Sequence, residues 1–149
     1  MRAATPDTPW AEHARAALRE AGYRRGGARN AVVEALARHE CAVTAIELDD
    51  ELRRRRPAVG RASVYRALEQ LEGLGLVQRV EVTRGTAGYE RVEPGGEHHH
   101  HAICRRCGRM VPFEDPSLER ALERVSEGIN FEVTDHDVVL RGLCERCVA

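Results

Sequence analysis

Cysteines stand as Cys104-Arg-Arg-Cys107 and again as Cys144-Glu-Arg-Cys147, with 36 residues between the pairs. Two intervening residues let both sulfurs of a pair face one side of a tight turn, and two such turns brought together offer four thiolates in the tetrahedral arrangement a zinc ion takes. The rival chemistry, a redox dithiol, uses a single such motif at the opening of a helix. The duplicated motif therefore points to structural zinc, which in a region with so few aromatic residues supplies much of the stability of a small core. The fifth cysteine, Cys41, stands alone and reads as a buried small hydrophobe.

Just upstream of the first pair runs His98-His99-His100-His101. If this segment is extended, its side chains alternate, sending His98 and His100 to one face and His99 and His101 to the other. One strand then serves two metal sites. Glu90, Glu93, Glu97, Glu119 and His136 are the further donors that can close them. Histidine with carboxylate suits iron(II), zinc, manganese or nickel, and ligand type alone does not choose among them.

These donors need elements to hold them. Periodicity predicts a first helix over 10–21, with Trp10, Ala14, Ala17, Leu18 and Ala21 on one stripe and Gly22 closing it. A second helix over about Ala28 to Arg38 buries Val32, Val33 and Leu36. A third begins at Thr44, where Glu47 completes a capping box, and stops before Pro57. A fourth, in GRASVYRALEQLEGLG, turns Val64, Ala67, Leu68 and Leu71 inward and Ala62, Tyr65, Arg66 and Glu69 outward. Alternation around Thr83 to Gly88 predicts a β-hairpin. Helices followed by a two-stranded ribbon make a winged helix-turn-helix over residues 1–92. Residues 93–96 form a linker, and 97–149 form a small C-terminal α/β domain, so the fold class is α+β. In that second domain AICRRC and RMVPF read as short strands, Pro116 to Glu127 as a helix, and INFEVTDHDVVLRGLC as one or two longer strands.

Composition excludes other classes. The chain has 149 residues, 42% hydrophobic and 32% charged, with no apolar run near the roughly 20 residues of a membrane span. The opening MRAATPDTPWAEH has no hydrophobic secretory core, which predicts a cytoplasmic protein without membrane contact. The net charge of −1 hides an asymmetry: residues 1–84 carry 15 arginines against 12 acids, and residues 85–149 carry 8 against 12. All 23 basic residues are arginine, which codon bias explains without a functional cause.

The ordered combination of GRASVYRALEQLEGLGLV, HHHHAICRRCGRMVPFED and TDHDVVLRGLCERC resembles the ferric uptake regulator family across nearly the whole chain. That resemblance implies a homodimeric, metal-dependent repressor of metal-homeostasis genes that reads double-stranded operator DNA. It implies no catalysis and no small-molecule substrate. It places structural zinc on Cys104, Cys107, Cys144 and Cys147. It places a hinge sensor site on Glu90, His99 and His101, and a dimerisation-domain site on His98, His100, Glu119 and His136. The regulatory ion it implies is iron(II) first, with zinc or manganese as alternatives. DNA contacts fall on Arg24, Arg29, Arg61, Ser63, Tyr65 and Arg66. The family's further hinge histidine is replaced here by Ala42, with Cys41 and His39 nearby, so the hinge site needs another ligand. Val92 stands where the zinc-sensing branch often has cysteine, and Glu119 where the peroxide-sensing branch tends to have aspartate. From other classes, a metal buffer and a zinc-dependent hydrolase are the competing readings; the hydrolase lacks an H-E-x-x-H helix.

Overall fold

In the computed structural model, residues 8–83, 85–95 and 98–148 are described. Glu97, one of the candidate donors, and Gly96 of the expected linker lie outside them. The chain divides into two compact units, Met1–Glu97 and His98–Ala149.

The first unit begins with α1 (Pro9–Glu20), where the Thr8 side chain accepts from the Ala11 amide and Pro9 sits in the first turn. Gly22, at φ 82°, ends it, and the Tyr23 amide reaches back to the Leu18 carbonyl. Next come α2 (Gly27–Leu36) and the two-residue strand β1 (Val43–Thr44). Helix α3 (Ala45–Arg55) opens on the expected capping box, with Thr44 and Glu47 each bonding the other's backbone. Helix α4 (Arg61–Gly73) ends at Gly75, at φ 67°, where the Leu76 amide donates to the Leu71 carbonyl. The hairpin is β2 (Val77–Thr83) and β3 (Thr86–Arg91), and the sheet order is β1-β3-β2.

The core of this unit is where the periodicity placed it: Trp10, Val32, Val33, Leu36, Leu48, Leu52, Val64, Leu68 and Leu71 are buried. The Trp10 indole N–H donates to the Leu76 carbonyl at 3.1 Å, satisfying the one polar atom of the largest core side chain. The inward and outward faces of α4 are those expected, with Val64, Ala67, Leu68 and Leu71 buried and Ala62, Tyr65, Arg66 and Glu69 exposed. Strand β1 had no sequence signal, because two residues cannot show alternation. It pairs antiparallel with β3, Val43 opposite Tyr89 and Thr44 opposite Gly88. Gly88 is needed at this crossing, since a Cβ there would lie 2.8 Å from Val82 Cγ2 and 3.1 Å from the Ala42 Cβ.

The second unit is a sheet of β4 (His100–Cys104), β5 (Met110–Phe113) and β6 (Val139–Gly142), ordered β5-β4-β6, with helices α5 (Pro116–Gly128) and α6 (Glu145–Val148). Strand β4 runs antiparallel to β5 and parallel to β6. The Asp115 side chain caps α5 by accepting from the Ser117 and Leu118 amides. The longer strands expected from residue 129 onward shrink to the four residues of β6. A strand needs a backbone partner along its length, and no described segment of this chain pairs with residues 131–137. Phe131 and Val133 are exposed there, as are Val125 of α5 and Ile129 at its C-terminal cap.

Candidate metal centres

Strand β4 delivers Cys104 at its end, and the chain turns at once: the Gly108 amide donates to the Cys104 carbonyl, with Gly108 at φ 73°. The parallel pairing of β6 sets Gly142 opposite Cys104, which carries Cys144 in beside it. A second tight turn follows, closed by the Cys147 amide on the Cys144 carbonyl. The four sulfurs lie within 4.8 Å of one another. Cys107 Sγ and Cys144 Sγ are 3.7 Å apart, against about 3.8 Å between sulfurs held tetrahedrally at zinc–thiolate bond lengths.

Electrostatics in this cluster is uneven. The Cys144 and Cys107 amides hold the Cys104 thiol down at about 5 by stabilising its thiolate. Burial works against ionisation of Cys144, but the Arg146 amide and the Cys147 thiol outweigh it and lower its value. Burial, with hydrogen bonds from the neighbouring sulfurs, pushes Cys147 up to about 12. A cation taking all four sulfurs would bind them as thiolates and remove this unevenness.

Two imidazoles turn toward a second cluster. His100, 2% exposed, places Nε2 2.6 Å from Glu119 Oε1. His136 Nε2 stands 3.0 Å from Glu119 Oε2 and 3.3 Å from His98 Nε2. The hydrogen bond from His100, against an opposing effect of burial and helped by the charges of His136 and His98, lowers the Glu119 carboxyl below its ordinary value. Donor atoms of His98, His100, Glu119 and His136 all fall within 4.8 Å of one another. Tetrahedral nitrogen and oxygen ligands at metal-bond lengths stand about 3.4 Å apart, so this N₃O set fits a divalent ion.

The other two imidazoles pair with each other: the His99 and His101 ring centroids are 5.0 Å apart, and His101 is buried. In the first unit, Glu90 is buried on β3, where Gln78 Nε2 donates to its Oε2 at 3.2 Å. The Cys41 sulfur and a Glu90 carboxylate oxygen lie within 4.8 Å of each other.

On the surface of the first unit, Tyr65 and Arg66 project from α4 into solvent, and Arg24 with Arg15, Arg19, Arg25 and Arg29 lines a cleft of roughly 580 Å³ beside Tyr23. With a winged helix, a four-cysteine cluster and a cluster of three histidines and Glu119 described, the chain can be set beside known proteins. The model of the ferric uptake regulator family matches residues 20–141. This chain belongs to the ferric uptake regulator family.

The ferric uptake regulation protein of Neisseria gonorrhoeae is 30% identical over 135 residues, covering 90% of this chain and 92% of that protein. The one from Legionella pneumophila is 39% identical over 89 residues, 60% of this chain, and there the match spans only 64% of the relative's length. The solved Helicobacter pylori ferric uptake regulator, described as having three functional metal binding sites, superposes with a TM-score of 0.81 at 26% identity, covering 94% of this chain and 92% of that one. A zinc uptake regulator solved with zinc and DNA gives a TM-score of 0.61 at 25% identity, covering 95% and 97%. Proteins of this family are metal-responsive transcription regulators and not enzymes, and the hydrolase reading ends there.

Within this family member, several expected residues have other work. The Arg61 guanidinium Nε donates to Asp49 Oδ2 at 2.8 Å, a bond that raises its already high pKa. Arg29 bridges Gln70 Oε1 at 2.7 Å and the Arg24 carbonyl at 2.6 Å, with its guanidinium over the Tyr23 ring. Ser63 is half-buried. His39, one of two groups near the missing hinge histidine, is bound to Glu51 at 2.9 Å. Glu93 meets Arg91 at 3.5 Å and joins none of the donor clusters among the described residues. Sequence reasoning missed Asp49, 1% exposed, whose role in holding Arg61 and Arg53 depends on packing between α3 and α4. It also read Cys41 as a buried hydrophobe, whereas the residue is half-buried beside a carboxylate.

Proposed function

We propose that this chain is a repressor of metal-homeostasis genes that binds operator DNA as a homodimer when a divalent ion, iron(II) first, fills its sensor site. The observation that carries this reading is the run from His98 to His101, whose alternate imidazoles pair off as His98 with His100 and His99 with His101. A single segment with two donor faces suits a protein that answers to metal rather than one that merely stores it.

In this reading Cys104, Cys107, Cys144 and Cys147 hold structural zinc, which the 3.7 Å sulfur spacing supports. Glu90, His99 and His101 hold the sensor ion, and His98, His100, Glu119 and His136 hold a further one, in keeping with the three sites described for the Helicobacter pylori protein. When bound, the sensor ion would supply the positive charge that offsets the buried Glu90 carboxylate. To move a dimer from mostly inactive to mostly DNA-competent, it must prefer the competent form by about 3 to 5 kcal/mol.

On the DNA side, Tyr65 packs on a thymine methyl and Arg66 takes a phosphate or a guanine edge. Arg24 reaches toward the minor groove from the arginine-lined cleft. Arg61 and Ser63 flank them at the start of α4, and Arg29 acts chiefly by fixing the Arg24 loop. The exposed apolar side chains at Val125, Ile129, Phe131 and Val133 support a second copy covering that surface. Among the described residues no helix is long and apolar enough to cross a membrane; the cytoplasmic assignment follows from the role as a DNA-binding regulator.

The test is fluorescence anisotropy with operator-like duplexes, with and without iron(II) under anaerobic conditions. Metal-stimulated, sequence-selective binding is expected, and Arg66→Ala should weaken it by about 5- to 150-fold, the equivalent of 1 to 3 kcal/mol. That variant should keep its full metal content. Equal DNA affinity with and without every divalent ion tried overturns the reading and leaves a metal buffer.

A further inference from the structure

We propose that Cys41 is a thiolate ligand of the sensor ion, standing beside Glu90 and adding sulfur to an otherwise oxygen and nitrogen donor set. This deepens, and rests on, the assignment of Glu90, His99 and His101 as sensor ligands. Three observations inside the first unit carry it.

The first is register. Strand β1 lies antiparallel to β3 with Val43 opposite Tyr89 and Thr44 opposite Gly88. Continuing that register one step sets residue 42 opposite Glu90. The donor nearest this point on the β1 side is Cys41, whose sulfur lies within 4.8 Å of the Glu90 carboxylate.

The second is that the neighbouring positions cannot serve. Ala42 has only a methyl group, and it is packed over Gly88, close enough that a Cβ on Gly88 would stand 3.1 Å from it. His39 is engaged by Glu51 at 2.9 Å. Cys41 is left as the donor that this edge of the sheet can offer.

The third is the chemistry of the pair. Glu90 is 3% exposed and Cys41 half-buried. A cation between them offsets the cost of burying the carboxylate and binds the sulfur as thiolate. Thiolate ligation also sets selectivity: sulfur favours zinc, cobalt(II) and iron(II) over manganese, which prefers oxygen donors. Cys41 thus tilts the sensor site away from manganese.

The chain's composition makes the test clean. Of its five cysteines, four belong to the paired motifs, so Cys41 is the single cysteine sulfur outside the zinc cluster. The cluster of His98, His100, Glu119 and His136 has no sulfur. The full-length protein, with its four-cysteine site filled by zinc, is titrated with cobalt(II) alone, and retained zinc is measured at each point. A near-ultraviolet sulfur-to-cobalt charge-transfer band should appear with zinc fully retained.

Cys41→Ser should abolish that band and weaken the sensor-site cobalt affinity by roughly tenfold or more. It should leave manganese affinity within about twofold, since manganese gains little from sulfur. Cys41→Ala, which removes the oxygen as well, should behave the same way. Absence of the band in the wild type, its persistence in Cys41→Ser, or its growth only as zinc is displaced overturns the assignment of Cys41. If Glu90→Ala and His99→Ala bind cobalt as the wild type does, the sensor reading itself falls. If those two variants weaken binding while the spectrum shows only nitrogen and oxygen ligation, the role of Cys41 alone is refuted.

Discussion

Replacing Cys104 with serine should unfold the C-terminal unit and leave the N-terminal unit intact. Cys104 closes β4, the central strand to which β5 and β6 both pair, and it is 4% exposed. The buried apolar side chains of this unit, among the described residues, are Ile103 and Cys104 itself. Full burial of an isoleucine contributes roughly 1.5 to 3 kcal/mol, whereas a structural zinc site contributes about 10 to 16 kcal/mol at neutral pH. With zinc bound there as proposed, the ion would be the larger stabilising contribution by several-fold, and a hydroxyl in place of one thiolate would forfeit most of it. The N-terminal unit rests instead on the buried core of Trp10, Leu36, Leu48, Leu68, Leu71 and their neighbours. Elemental analysis of Cys104→Ser should find zinc largely lost. Hydrogen exchange should show the Ile103 and Cys104 amides unprotected while those of Leu68 and Leu71 keep their protection. Wild-type protein treated with a strong chelator should show the same split. A variant that keeps its full zinc content, or a chelated protein whose β4 amides stay protected, would refute the reasoning.

Three further outcomes follow from other contacts. Glu119→Ala removes the carboxylate that reaches His98, His100 and His136, and elemental analysis should show loss of one regulatory metal with structural zinc retained. Thr44→Ala takes away the side-chain half of the α3 capping box, and chemical denaturation should show the N-terminal unit destabilised by about 1 kcal/mol. Glu51 titrates below its ordinary value of 4.5, because hydrogen bonds from His39 and Arg38 outweigh the opposing effect of its burial. Its stabilising effect is thus fully present above pH 4.5 and lost as pH falls through the lowered folded value. Denaturation of Glu51→Gln across pH 3 to 6 should show a shallower acid loss than the wild type; equal slopes would count against this pair.

What the sequence determined by itself is what depends on short-range spacing. The two C-x-x-C pairs, the alternation of four histidines, the Thr44 capping box and the two faces of α4 are set within a few residues, and each is present as read. The tertiary structure decided what depends on partners distant in sequence. Register between a two-residue strand and the wing hairpin, not any local pattern, sets Cys41 beside Glu90. Packing of α3 against α4 commits Arg61 to the buried Asp49. The alternating residues after α5 look like a strand, yet alternation only describes a side-chain pattern, whereas a strand exists through backbone hydrogen bonds that another segment must supply.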